Sequence, residues 1–256
     1  MKLNLALIKV QGVVLKSMDL NDNDKIITLY TDKLGKVKAV AHGAKKQSSK
    51  LMASTQPFCF GEFLLYKGKS LYTLKESSIN ESFQELLLDF DKIIYGSYFI
   101  ELIDGISEDE NKNVSLLALL LKTLYILKDT DTNLDLLKLT FNFKAISLSG
   151  YMPNVKTCVR CKKDLDCGYF SIIQGGMICS KCFTPERDIY GINKETLTFL
   201  RILKNIKLED LRDINYNKKT LLYVETIMDN YLNYYIGAEF KSQMLIKKLK
   251  KSKEMV

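Results

Sequence analysis

Alternation between apolar and polar positions dominates the first 80 residues and predicts short strands. Segments 10–18, 25–31 and 36–42 come first, divided by the turn-forming run Asn21-Asp22-Asn23-Asp24 and by Leu34-Gly35. Segment 36–42 opens with alternating lysines and apolar residues, which sends the lysines to one face of a strand. Strands over 60–66 and 70–76 follow, joined by Lys67-Gly68-Lys69. Five short strands with turn signals between them predict a small closed or partly open barrel.

Beyond residue 80 the period changes from two to about 3.6. Phe83, Leu86, Leu87, Phe90, Ile94, Tyr98, Leu102 and Ile106 form a helical stripe. Residues 116–127 are apolar on nearly all sides and predict a buried helix. A third helix, with Asp131 or Thr132 as candidate cap, carries Leu134, Leu137, Phe141 and Leu148 and stops at Gly150, ahead of Pro153. Residues 193–206 and 217–236 predict two more helices, with stripes such as Leu197, Leu200, Leu203 and Tyr223, Ile227, Tyr231. Residues 154–184 have neither period. The chain therefore predicts an α+β multidomain protein: a barrel domain over 1–80, then a helical domain over 81–256 with an insertion at 154–184.

The insertion carries the sharpest motif. Cys158-Val159-Arg160-Cys161 and Cys179-Ser180-Lys181-Cys182 are two CxxC hooks with seventeen residues between them, the spacing of a four-thiolate zinc site. Two thiolates on a tight turn bite one metal, and two such turns complete a tetrahedron with no position open to water. The expected ion is thus one structural Zn2+. Tyr169 to Gln174, Gly175-Gly176 and Met177-Ile178 predict a hairpin leading to the second hook, a zinc ribbon-like arrangement. A segment of this size builds little core of its own, so a metal would brace it. Cys59, between Phe58 and Phe60, predicts a core residue. Cys167, between the hooks, is a spare fifth cysteine.

Charge adds a second site. The net charge is +8, and residues 1–80 hold 13 lysines against 6 acids. No acid lies between Asp32 and Glu62, while Lys33, Lys36, Lys38, Lys45, Lys46 and Lys50 fall inside that stretch. Lysines on a barrel edge suit phosphates rather than base edges. The candidate nucleic-acid path is Lys36, Lys38, His42, Lys45, Lys46 and Lys50, with Ser48 and Ser49 as further donors. Tyr30, Phe58, Phe60, Tyr66 and Tyr72 are candidate base stackers, though core packing is the expected role of most. The acidic run Glu108-Asp109-Glu110 predicts a solvated loop. Catalysis finds little support: there is one histidine, and no P-loop, dinucleotide fingerprint or paired-carboxylate motif. No apolar stretch approaches the roughly 20 residues that span a bilayer, so a soluble, intracellular, non-enzymatic protein with no membrane association is expected.

Run 35–51 (GKVKAVAHGAKKQSSKL) followed by Gln56-Pro57-Phe58, then Gly150-Tyr151-Met152-Pro153, the two hooks, Gly175-Gly176, and finally Lys241-Ser242, resembles the bacterial RecO family of recombination mediators along nearly the whole chain. His42 stands where that family usually has Lys or Arg. The resemblance implies an N-terminal OB-fold, a helical C-terminal domain, and binding and annealing of single- and double-stranded DNA. It implies RecR and the acidic tail of the single-stranded DNA-binding protein as partners. It also implies RecA as the indirect beneficiary, and a cytoplasmic, nucleoid-associated location. An acidic, apolar tail needs a hydrophobic pocket rimmed by cations, and Lys138, Phe141 and Lys144 are a candidate for it. Competing readings are an OB-fold and zinc factor of transcription or translation, and a metal-dependent nuclease.

Overall fold

The computed structural model describes residues 7–128, 132–237 and 240–254. Five strands come first: β1 (Leu7–Asp19), β2 (Lys25–Thr31), β3 (Gly35–Ala41), β4 (Phe60–Lys67) and β5 (Tyr72–Glu81). A single helical turn, α1 (Leu51–Ser54), separates β3 from β4. The strands close into a barrel in the order β1-β2-β3-β5-β4. Every pairing is antiparallel except β3 with β5, where Ala39 faces Tyr72 and Val40 faces Thr73 in parallel register.

The predicted alternation is what fills this barrel. Val37, Ala39 and Ala41 of β3 are buried while Lys38 between them is exposed. Val10, Ile27, Val37, Cys59, Phe63 and Leu74 belong to one apolar cluster, and each fully buried apolar side chain of this size contributes roughly 1.5–3 kcal/mol. Burial, with the charge of Glu81, pushes the Cys59 thiol up to about 11, so it packs as a small apolar group. Gly35 turns β2 into β3 at φ +66°, and a Cβ there would lie 2.2 Å from the Asn111 carbonyl oxygen. Only glycine lets the segment around residue 111 lie against that turn.

The chain divides into two compact units: Met1–Lys128 with Phe240–Val256, and Asp129–Glu239. In the first, a 3-10 helix (Gln84–Leu88), α2 (Phe90–Ile106), α3 (Val114–Lys128) and α7 (Lys241–Glu254) accompany the barrel. α2 packs beside β1, α3 beside β2, and α7 on α2. This grouping differs from a division at residue 80, because three helices assigned by sequence to the helical domain gather with the strands. The stripe over 83–106 is also not one helix. The Asp89 side chain accepts the N–H groups of Asp91 and Lys92 and starts α2 at Phe90. Ile94, Tyr98 and Leu102 are buried as expected, but Leu87 and Phe90 are 45% and 71% exposed.

The second unit contains α4 (Leu134–Leu148), α5 (Lys194–Asn205), a 3-10 helix (Leu208–Asp213), α6 (Lys218–Ile236) and a small sheet. That sheet runs β7-β6-β8, with β6 (Gly168–Ser171), β7 (Gly176–Ile178) and β8 (Ile189–Ile192). Its third strand lies past residue 184, where the sequence showed no signal. Asn133, Asn193 and Asn217 cap α4, α5 and α6 by accepting N–H bonds from Leu136, Thr196 and Lys219. The cap of α4 is thus Asn133, not Thr132, and the other candidate, Asp131, lies outside the described residues. Among the described residues, no helix is long and apolar enough to cross a membrane.

Candidate nucleic-acid interface and metal centre

The sequence between Asp32 and Glu62 is free of acids, but its surroundings in the fold are not. Lys36, with a side chain 15% exposed, donates to the Asp104 carbonyl at 2.8 Å and lies 3.7 Å from the Asp104 carboxylate and 3.5 Å from that of Asp109. Asp104 also takes Lys16. Glu110 accepts from the Tyr72 hydroxyl at 3.0 Å and from Lys67 at 3.4 Å. The run 108–110 is therefore latched to the barrel rather than simply solvated. Lys36 braces that latch, so it leaves the set of lysines available to a phosphate.

The segment after β3 is a chain of hydrogen-bonded turns. Gly43, at φ +67°, lets it reverse, and the N–H groups of Lys46 and Ser49 donate to the carbonyls of Gly43 and Lys46 at 3.1 and 2.9 Å. His42 is exposed and its Nδ1 lies 3.0 Å from Asp24 Oδ2. The Gly43 N–H, then His42 and Asn21, hold the Asp24 carboxyl down at about 2, so this clamp stays charged through the physiological range. Lys45 donates to Asp19 at 2.7 Å. The Ser49 hydroxyl oxygen accepts from the Leu51 N–H at 3.2 Å, which leaves its own O–H to donate. Lys38, Lys46 and Lys50 are exposed and have no acidic partner among the described residues. Of the six residues in the expected path, these three hold uncommitted positive charge. Of the aromatics, Tyr30, Phe58 and Tyr72 are buried, whereas Phe60 and Tyr66 are half-exposed.

The four hook cysteines meet in the second unit. The Sγ atoms of Cys158, Cys161, Cys179 and Cys182 all lie within 4.8 Å of one another, and Cys161 and Cys179 are 3.7 Å apart. Zn–S bonds of about 2.3 Å set tetrahedral edges of about 3.8 Å, so the donor set fits a tetrahedral metal. Cys167 is not among the four. Each hook is wound by its own backbone: the Lys162 N–H donates to the Cys158 carbonyl at 2.9 Å, and the Cys182 N–H to the Cys179 carbonyl at 3.0 Å. Burial pushes the Cys158 thiol up, but N–H donors of Cys161, Cys179 and Arg160 outweigh it and bring it down to about 6, while hydrogen bonds with Cys179 and Cys161 push Cys182 up to about 12. A thiolate is the form a metal needs.

Two arginines brace the module, and the sequence reading did not single them out. Arg160, inside the first hook, donates to Gln174 Oε1, the Cys182 carbonyl and Thr184 at 2.8, 2.8 and 2.9 Å, tying one hook to the other. Arg201 of α5 donates to the Val155 and Leu165 carbonyls at 3.0 and 2.5 Å. Gly176, at φ +157°, lies so close to Asn154 that a Cβ would sit 2.4 Å from its carbonyl oxygen. Cys158→Ser is expected to abolish stoichiometric metal binding and to lower the stability of residues 129–239 by several kcal/mol. Metal content and hydrogen exchange across α5 measure both, and a fully metallated, equally protected variant would contradict the structural role.

The candidate tail pocket is corrected by the structure. Lys138 is 1% exposed, and its ammonium donates to Glu225 Oε1 at 3.0 Å and Asp229 Oδ1 at 2.8 Å. Phe141 is wholly buried. Lys144 is half-buried, and desolvation, opposed by Glu209, lowers its ammonium below the usual lysine range. Lys138 lies inside the contact of α4 with α6, and with Phe141 also buried the three residues do not form an open pocket with a cationic rim. The signal was present in the sequence: one lysine inside an apolar stripe, and two acids four residues apart inside another.

The fold and sites define a two-unit α+β class of chain, with exposed lysines on a five-stranded barrel in one unit and, in the other, four cysteines close enough to hold a metal. Comparison with known proteins makes it particular. Residues 3–83 match the family model for the recombination protein O N terminus and residues 87–244 the one for its C terminus. The chain is 36% identical over 249 residues to the DNA repair protein RecO of Clostridium novyi, covering 97% of this chain and 96% of that one. It is 41% identical to the RecO of Clostridium perfringens strain 13, over 80% of this chain and 83% of the relative. The RecO of Clostridium acetobutylicum is 38% identical, with 83% and 86% covered. This chain belongs to the RecO family.

Proposed function

We propose that this chain is a non-catalytic mediator of DNA repair and recombination that binds single- and double-stranded DNA and anneals complementary strands. With RecR it helps to load RecA onto strands coated by the single-stranded DNA-binding protein. Full-length similarity to DNA repair proteins of the RecO family supports the mediator role. The observation that carries the DNA contact is the set of Lys38, Lys46 and Lys50 on β3 and the turns after it, exposed and with no acidic partner among the described residues. Five strands in the order 1-2-3-5-4, closed by a parallel β3–β5 contact, support an OB-fold, which handles nucleic acid without needing catalytic groups. Lysine point charges favour phosphates of any sequence, as an annealing protein requires. The four-thiolate cluster suits one structural Zn2+ in a cytoplasmic protein. The tail of the single-stranded DNA-binding protein would dock somewhere other than at the buried Lys138 and Phe141.

The test is annealing of complementary oligonucleotides precoated with single-stranded DNA-binding protein, with and without RecR. Acceleration by the chain, raised further by RecR on RecA filament formation, is the expected result. No acceleration on either bare or coated strands would reject the mediator reading.

A further inference from the structure

The C-terminal helix returns to the barrel unit and brings a second run of lysines with it. Six lysines lie between Lys241 and Lys253 with no acid among them. α7 is seated by one face. The N–H and O–H of Ser242 donate to Glu101 Oε2 at 3.1 and 2.7 Å, Phe240 meets the Tyr98 ring edge-on at 6.1 Å, and Ile246 is 1% exposed. Ser242, Gln243 and Ile246 thus face inward, while Lys241, Lys247, Lys248 and Lys251 are exposed. At 100° per residue, the four exposed lysines share the opposite face. Helix-dipole compensation explains basic residues only in the last turn, which leaves Lys241, Lys247 and Lys248 without that reason for being there.

The anchor also sets where this face lies. Glu101, which holds Ser242, lines a groove of about 380 Å³ together with Lys16, Met18, Gln56 and Pro57. Met18 precedes Asp19, the partner of Lys45, and Gln56 follows α1, which Lys50 introduces. The wall of this groove thus carries the anchor of α7 together with residues of β1 and residues that follow α1.

We propose that the exposed face of α7 is a second nucleic-acid surface, binding the phosphates of a strand other than the one held by Lys38, Lys46 and Lys50. This rests on the DNA-binding reading above and extends it: one molecule presents two basic surfaces, as the pairing of two strands requires. Charge complementarity commits the face to a polyanionic backbone.

The experiment uses the full chain and a Lys247→Glu/Lys248→Glu/Lys251→Glu variant, whose changed residues stay clear of the seated face. Affinity for a labelled oligothymidine strand is measured across salt, and bridging is read by energy transfer between two non-complementary labelled strands. Measured with an unlabelled first strand already filling the barrel, the salt slope for a second, labelled strand should fall by about 2 in the variant, since each lost single-strand phosphate contact removes about 0.7. Bridging should be lost, while one-strand binding through the barrel persists. Wild-type slope and bridging in the variant would overturn the second surface alone. A wild-type chain that binds no DNA would overturn the DNA-binding reading together with it. Binding to phosphatidylglycerol vesicles that the variant loses, with DNA binding unchanged, would make the helix a membrane-facing element and reject the proposal.

Discussion

Replacing Lys138 with alanine is expected to destabilise the second unit by about 3–5 kcal/mol. The lysine is 1% exposed and bonds two acids of α6, Glu225 at 3.0 Å and Asp229 at 2.8 Å, both themselves buried. Removing the cation takes from both buried carboxylates the ammonium that bonds them. Either they protonate at a cost or the α4–α6 contact opens. Substituting all three, as in Lys138→Met/Glu225→Leu/Asp229→Leu, removes the buried charge altogether and should recover most of the loss, since desolvating the three ions is itself costly. Urea unfolding with hydrogen exchange of α4 and α6 reads both variants. A Lys138→Ala protein as stable as wild type would show that the triad is not buried as described.

The second large effect lies in the first unit. Lys38→Glu/Lys46→Glu/Lys50→Glu should weaken binding to single-stranded DNA by at least about 100-fold at about 0.1 M salt, through three lost contacts and added repulsion. Folding should be unaffected, because the three side chains are exposed and have no acidic partner among the described residues. Lys36→Gln is the contrasting variant. Its ammonium sits 2.8 Å from the Asp104 carbonyl in the last turn of α2, so its loss should lower stability and leave the DNA salt dependence unchanged. Equal losses of DNA affinity in the triple variant and in Lys36→Gln would erase the distinction between committed and free lysines.

These cases show what the chain reveals when read alone. The strands were legible because alternation is local: Val37, Ala39 and Ala41 turn inward wherever β3 sits. The hooks were legible for the same reason, since four thiolates within 4.8 Å follow from two tight turns and a hairpin. What failed depended on partners distant in sequence. The acids that neutralise Lys36 are Asp104 and Asp109, about seventy positions on. Lys138 looked like a surface cation until α6 supplied its two carboxylates. Phe90 continued an apolar period yet lies 71% exposed, because the Asp89 cap starts a new helix there. Charge counted along a chain is therefore a poor guide to charge available at a surface.

The most direct test of the central claim, that uncommitted barrel lysines hold the DNA backbone, is a salt titration of single-strand affinity. The full chain is compared with a Lys38→Gln/Lys46→Gln/Lys50→Gln variant, which removes charge without adding repulsion. The slope of log affinity against log salt is predicted to fall by about 2, with the two proteins converging near about 1 M salt. An unchanged slope, with wild-type affinity throughout, would contradict the account.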